Sequence, residues 1–395
     1  MGTRRIYMDH HATTPCAPRV VEAMMPWFTQ NPGNPSSPHA FGWEAKEACE
    51  RAAVQVATLV GGDADHVVFT GSATESIHLA LVGAAERLEG RGRHVVTSTF
   101  EHPAVLETLA RLESRGFEVT RVPVGPMGVI DPAEVERAIR RDTVLCSIMW
   151  ANNEVGTLQP MREIADLCHR SEVVLHSDAC QAVGRVPVDL QKTGVDLLTL
   201  SGHKMYGPKG IGALVIRRQR PRVRLQPQLV GGGQQHGLRS GTLPVPLIAG
   251  LGEACALAAD EMETEARRLE ALRNRLRDRF EAEVPPVVVN GDRDRRLPGN
   301  LNMSFIGVEA ETILLRSPGL GLSVGSACSA SHSEPSHVLR ALGMTDEQAH
   351  ATLRFGLGRS TTEEEVDAVA ATVIGIVRDL RETSPTHRAV RTSDA

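Results

Sequence analysis

Residues 201–210, Ser-Gly-His-Lys-Met-Tyr-Gly-Pro-Lys-Gly, follow directly on the apolar run Val195–Leu200. Lys204 therefore stands where a core strand ends, and lysine is seldom buried unless it is paired or chemically engaged. Other apolar runs also end in reactive side chains. One leads through Gly71 into Ser72-Ala73-Thr74-Glu75, a Ser-x-x-Glu capping box. That box predicts a helix start with outward-facing backbone N–H groups, a natural seat for phosphate. His102 precedes Pro103 after a second run; Asn152, Asn153 and Glu154 follow a third; Asp178 and Gln181 follow a fourth. Taken singly, each is better explained as a turn or cap residue. Taken together, they crowd too many polar groups into one crevice for that account. Pyridoxal phosphate needs a lysine for a Schiff base, an acid beside its ring nitrogen, donors for its phosphate and a flat side chain to stack on. Lys204, Asp178, the Ser72–Thr74 turn with Ser201 and His203, and His102 meet those needs in turn.

The elements that must position these residues are read from the alternation of apolar segments. Candidate strands are His66–Thr70, His94–Thr99, Phe117–Val122, Thr143–Met149, Val173–Ser177, Asp196–Leu200 and Ile211–Ile216. Helical spacing lies between them at Glu75–Leu88, Ala104–Arg115, Pro132–Arg140 and Met161–Arg170. Such alternation predicts an α/β fold with a mostly parallel sheet covered on both faces. Ligands in such sheets bind beyond the carboxyl ends of the strands. A long amphipathic stretch at Leu247–Phe280, short strands at Val287–Val289 and Leu301–Phe305, and helices to about Leu380 read as a second, smaller domain. The tail Ser-Pro-Thr-His-Arg-Ala-Val-Arg-Thr-Ser-Asp-Ala is expected to fray.

Composition narrows the function classes. The 395 residues are 41% hydrophobic, enough for a large core, and 43 basic against 48 acidic side chains leave a net charge of −5. Neither nucleic acid nor an anionic membrane is expected as a partner. No run approaches the roughly 18 apolar residues of a membrane span, and the first residues carry no signal-peptide pattern. Cys16, Cys49, Cys146, Cys168, Cys180, Cys255 and Cys328 are widely spaced without a C-x-x-C pair, so no metal site is expected and a reducing, cytoplasmic setting is.

With these motifs assembled, the chain resembles the cysteine desulfurases, pyridoxal-phosphate enzymes of the fold type I aminotransferase superfamily, and most of all their housekeeping iron–sulfur-cluster group. The likeness runs from Ile6 to Pro385. It is carried by YMDHHATTP, ATES, EHPAV, NNEVG, SDACQAVG, SGHKMYGPKGIGA, RSGTLP, SVGSACSA, EPSHVLRALG and LRFGLGR.

The resemblance implies a large cofactor-binding domain over 14–260 with a mostly parallel seven-stranded sheet. It also implies a smaller α+β domain formed by 1–13 and 261–395. Lys204 would hold the cofactor, Asp178 pair with the pyridine nitrogen, Gln181 reach the phenolic oxygen and His102 stack on the ring. Ala73, Thr74, Ser201 and His203 would hold the phosphate, with Thr242 added from the partner subunit of a homodimer. Asn153 and Arg354 would receive the carboxylate of L-cysteine, an Arg fork suiting a carboxylate better than Lys.

Cys328, in the small-residue stretch Gly-Ser-Ala-Cys-Ser-Ala-Ser, would accept the sulfur as a persulfide, and would be the residue to meet any transferred cluster. Lys204 would take the α-proton and His102 the thiol proton. The sulfur would pass to an acceptor or iron–sulfur scaffold protein. Transamination is disfavoured by the Cys328 stretch, selenocysteine cleavage stays open, and a catalytically dead scaffold component would have lacked Lys204 or Cys328. Gly71-Ser72, Cys180, Gln235-His236 and the C-terminal tail depart from the usual pattern of the group.

Overall fold

The computed structural model describes residues 5–218, 223–324 and 335–383. Seven strands form the principal sheet: β1 (Val67–Thr70), β2 (His94–Ser98), β3 (Glu118–Val122), β4 (Thr143–Ser147), β5 (Val174–Asp178), β6 (Leu197–Ser201) and β7 (Gly212–Ile216). Their order is β1-β7-β6-β5-β4-β2-β3. Neighbours are parallel except where β7 meets β6 and β1, so β7 alone runs against the rest. This is the expected α/β fold. Two expected strand ends move out by one residue, because pairing continues through Asp178↔Thr199 and Ser201↔Gly212, whereas the ends expected at Thr99 and Met149 fall back to Ser98 and Ser147. Asp178 and Ser201 thus close their strands instead of following them.

Alternate strand residues enter opposite cores, as a pleat of period two requires. Leu198, Leu200, Ala213 and Val215 join the core beneath helices α1 (Ala40–Val60) and α4 (Met161–Arg170). Leu197, Leu214 and Ile216 join the other, beneath α2 (Ala73–Leu88) and α3 (Pro103–Glu113). No helix was expected over 40–60. Its buried stripe is built from Ala45, Ala48, Cys49, Ala52 and Val56, small side chains that leave a weak apolar signal.

Helix α5 (Val245–Glu283) replaces the shorter expected stretch and reaches two cores. Ile248, Leu251 and Cys255 pack beside α1, whereas Leu269, Leu272, Leu276 and Phe280 enter a third core. That third core takes in Ile6, Met8 and residues of an antiparallel sheet: β8 (Val287–Val289), β9 (Asn300–Phe305), β10 (Ser323–Val324) and β11 (Thr352–Gly356), ordered β10-β11-β9-β8. It is covered by α6 (Glu363–Thr383), and Phe280 meets Phe305 edge to face at 5.1 Å. Among the described residues no helix is long and apolar enough to cross a membrane.

Candidate active site

At the carboxyl ends of β1, β2, β4, β5 and β6 lies a cavity of about 440 Å³. Ala73, Thr74, His102, Asn153, Asp178, Gln181, Ser201, His203 and Lys204 all line it. The topology explains the convergence, since the five strands point the same way and each delivers its terminal side chains to one edge.

The helix start at its rim forms as the capping box predicts on one side only. Ser72 caps α2, its Oγ accepting from the Glu75 N–H at 3.2 Å. The Glu75 carboxylate reaches one residue further back, to the Gly71 N–H at 2.7 Å, and is tied to Arg239 at 2.7 Å. The first turn of α2 thereby opens its N–H groups, and the positive end of the helix, toward the cavity. Close backbone approach makes this possible. A Cβ on Gly212 would lie 2.8 Å from the Leu200 carbonyl and 3.0 Å from the Ala73 nitrogen.

Lys204 ends the short turn Gly202–Lys204, and its Nζ donates to the carbonyls of His11 (2.7 Å) and Ala12 (2.8 Å). A lysine at a core strand end is thus satisfied by backbone oxygens of the N-terminal segment. Asp178 is 7% exposed; its Oδ1 accepts from the Cys180 N–H at 3.0 Å. His102 caps α3, with Pro103 as the first helical residue, and its Nδ1 accepts from the Ala104 N–H at 3.1 Å. Burial lowers its pKa, against the opposing charge of Asp178. Burial and the cations Lys204 and Lys209 bring His203 to about 4, and His203 Nδ1 lies 3.0 Å from Thr13 Oγ1. Gln181 Nε2 donates to the His11 carbonyl at 2.9 Å.

Arg354, on β11, is not part of the cavity wall itself. Its Nη1 donates to the carbonyl of the wall residue Asn153 at 2.8 Å, and its Nη2 to Asp9 Oδ1 at 2.8 Å. Thr242 is exposed on the surface and does not line the cavity of its own chain. Cys328 lies outside the described residues, as does the C-terminal tail. Cys180 lines the cavity, but burial and the neighbouring Asp178 carboxylate hold its thiol well above the usual range.

Several groups at this site carried no assigned role in the sequence. Asp9, His11 and Thr13 all fall within YMDHHATTP. Arg185 is half-buried and donates to the carbonyls of His10 (2.6 Å) and Lys204 (3.0 Å) and to the His11 ring. Glu101, adjacent to His102, is fully buried and pushed up to about 8. For Asp9, His11 and Thr13 the signal was the density of polar residues in that first motif, which contacts with residues distant in sequence turn into part of a site.

Residues 6–369 match the Aminotransferase class-V family. The chain belongs to the aminotransferase class-V family. Among its relatives, "Cysteine desulfurase IscS" of Anaeromyxobacter dehalogenans is 50% identical over 387 residues, covering 98% of this chain and 96% of that protein. The "Cysteine desulfurase" of Mus musculus is 49% identical over 383 residues, covering 97% and 83%. Among solved structures, a NifS-like protein superposes with a TM-score of 0.88 at 36% identity, covering 95% of this chain and 99% of that one. SspA in complex with cysteine superposes with a TM-score of 0.78 at 36% identity, covering 89% and 98%.

Proposed function

We propose that this chain is a pyridoxal-phosphate-dependent cysteine desulfurase, converting L-cysteine to L-alanine and leaving the sulfur on Cys328 as a persulfide. The observation that carries the reading is the meeting of Lys204, Asp178, His102 and the α2 N-terminus at one cavity, in a chain half identical to named desulfurases. The donor set fits the cofactor. Lys204 would hold its aldehyde carbon, Asp178 its ring nitrogen and Gln181 its phenolic oxygen, with His102 against the ring. The N–H groups of Ala73 and Thr74, with Ser201 and His203, would hold its phosphate. When bound, pyridoxal phosphate supplies an aldehyde that bonds to amines and a ring that takes up negative charge.

The chain's own groups do the rest. Lys204 Nζ, released from the carbonyls of His11 and Ala12, takes the α-proton. Asp178 would hold a compensating negative charge beside the ring nitrogen. The Cys328 thiolate attacks the substrate sulfur; the substrate C–S bond breaks and a Cys328 S–S bond forms, with the carbon protonated to give alanine. His102 Nδ1 is engaged by the Ala104 N–H, so the neutral ring carries its proton on Nε2. Taking up the thiol proton therefore requires Nδ1 to give up that bond. Asn153 and Arg354 receive the substrate carboxylate.

The finer assignments rest on the same grounds. A homodimer, with Thr242 reaching the neighbouring phosphate, is supported by apolar side chains left open to solvent, among them Trp43 at 63% and Val230 at 84% exposure. Division into 14–260 and 1–13 with 261–395 is supported by the separate core around Phe280, Phe305 and Phe355. A reducing, cytoplasmic setting is supported by free cysteines at Cys49, Cys146, Cys168, Cys180 and Cys255, all buried. Delivery to an iron–sulfur scaffold follows the naming of the bacterial relative. The test is direct: purified holoenzyme given L-cysteine and a thiol reductant should release alanine and sulfide in equal amounts, and Lys204→Ala should release neither. Full turnover by that variant would sink the assignment.

A further inference from the structure

The carboxylate of Asp9 meets Arg354 in a way that bears on substrate recognition. The pair is largely enclosed, the Arg354 side chain being 5% and that of Asp9 18% exposed. Asp9 touches the guanidinium through one oxygen on Nη2, the Asn153 carbonyl takes Nη1, and Arg354 Nε is buried without a hydrogen-bond partner among the described residues. Of the five N–H donors of a guanidinium, two are thus fixed, and they fix its plane. Asp9 is itself held by its backbone. It bridges Gly356, two residues beyond Arg354 on the same strand, and its carbonyl accepts from Tyr7 Oη at 3.1 Å. His10 N–H reaches the Gly356 carbonyl at 3.0 Å. Arg354 also shares its surroundings with other cations, for the His11 ring is depressed first by burial and then by the charges of Arg185, Arg354 and Lys204. A buried cation left without an opposite charge is strongly disfavoured and moves or destabilises its site.

We propose that Asp9 is a positioning residue for the α-carboxylate of the amino-acid substrate. Its single contact orients the Arg354 guanidinium and compensates its charge while leaving Nε and the remaining N–H groups for a two-point grip on an incoming carboxylate. This rests on the functional reading above, in which the ligand is an amino acid. The same N-terminal segment docks Lys204 through His11 and Ala12, so one stretch of chain sets both the amine and the carboxylate grip.

The experiment is a calorimetric titration of holoenzyme with L-alanine and with ethylamine, the same amine without a carboxylate. For Asp9→Ala, L-alanine should bind about 10- to 100-fold more weakly, the size expected for losing a charged hydrogen-bond partner. Asp9→Asn, nearly isosteric and the safer fold, should show a smaller loss in the same direction. Ethylamine affinity should be unchanged in both. In turnover, KM for L-cysteine should rise while kcat stays within a few-fold. Tighter alanine binding by Asp9→Asn would mean that Asp9 competes with substrate and would overturn the proposal. Equal weakening of both ligands would mean general damage, and unchanged binding no role; either overturns it. A wild-type enzyme that forms no alanine from L-cysteine would overturn the functional reading instead, whereas an active wild type with unaltered variants overturns the Asp9 assignment alone.

Discussion

Each side chain in the cavity is held in one state by its neighbours, and that state decides what it can do. Cys180 illustrates the point. Cys180 sits in the cavity wall beside Asp178, but burial and that carboxylate hold its thiol protonated, so proximity does not make it a nucleophile. Asp178 accepts a backbone N–H and closes β5, a fixed charge at the end of a buried strand. Asp178→Asn should keep the fold and retain cofactor, yet lose about 10³-fold or more in alanine formation, the scale of a misplaced electrostatic partner. Absorbance and turnover of the variant, measured side by side, check this; turnover within a few-fold of wild type would show that Asp178 is not the ring partner.

At the level of elements, the site depends on strands ending together and on backbone packed too closely for side chains. Gly212 begins the one reversed strand and passes the Leu200 carbonyl and the first turn of α2 within 3.0 Å of where a Cβ would stand. Gly212→Ala should push that turn away and weaken cofactor binding roughly 10- to 100-fold, the scale of overpacking a tight site. An absorbance titration with pyridoxal phosphate measures it, and an unchanged affinity would separate the turn from the phosphate.

The seven strands were legible in the sequence because buried parallel strands are apolar runs punctuated by polar ends, and Lys204, Asp178 and His102 stand at those ends. The helix 40–60 was not, because its buried face is mostly alanine. Nor was the role of YMDHHATTP. Its carbonyls and Asp9 act on Lys204 and Arg354, which are distant in sequence, and no local pattern encodes that meeting. Arg354 itself was named only through the resemblance, since an arginine within a strand reads alone as a solvated face.

For the molecule as a whole, the buried titratable groups make stability depend on pH with a definite sign. Glu101, ordinarily at 4.5, is pushed up to about 8 and Glu154 to about 7, both by burial. Each therefore holds a proton when folded that the unfolded chain has lost. Their stabilisation is complete below pH 4.5 and is lost as pH rises through those values. His176 acts oppositely: burial lowers it to about 4, so stability rises with pH from about 4 to 6.5. Above pH 6.5 only the carboxyls contribute, and stability should fall toward pH 8, each group adding at most about 1.4 kcal/mol per pH unit. Urea unfolding of Glu101→Gln across that range should give a flatter decline than wild type; parallel curves would place the Glu101 proton elsewhere.

The central claim, that this cavity moves the sulfur of cysteine onto Cys328, has a direct measurement. Holoenzyme is exposed briefly to L-cysteine without reductant, digested and mapped by mass spectrometry while alanine is counted. The account predicts one added sulfur atom, removable by reductant, on the peptide containing Cys328, with one alanine formed for each. Cys328→Ser should bind cofactor as wild type does but form neither. Sulfur found on Cys180, or alanine released by Cys328→Ser at the wild-type rate, would contradict it.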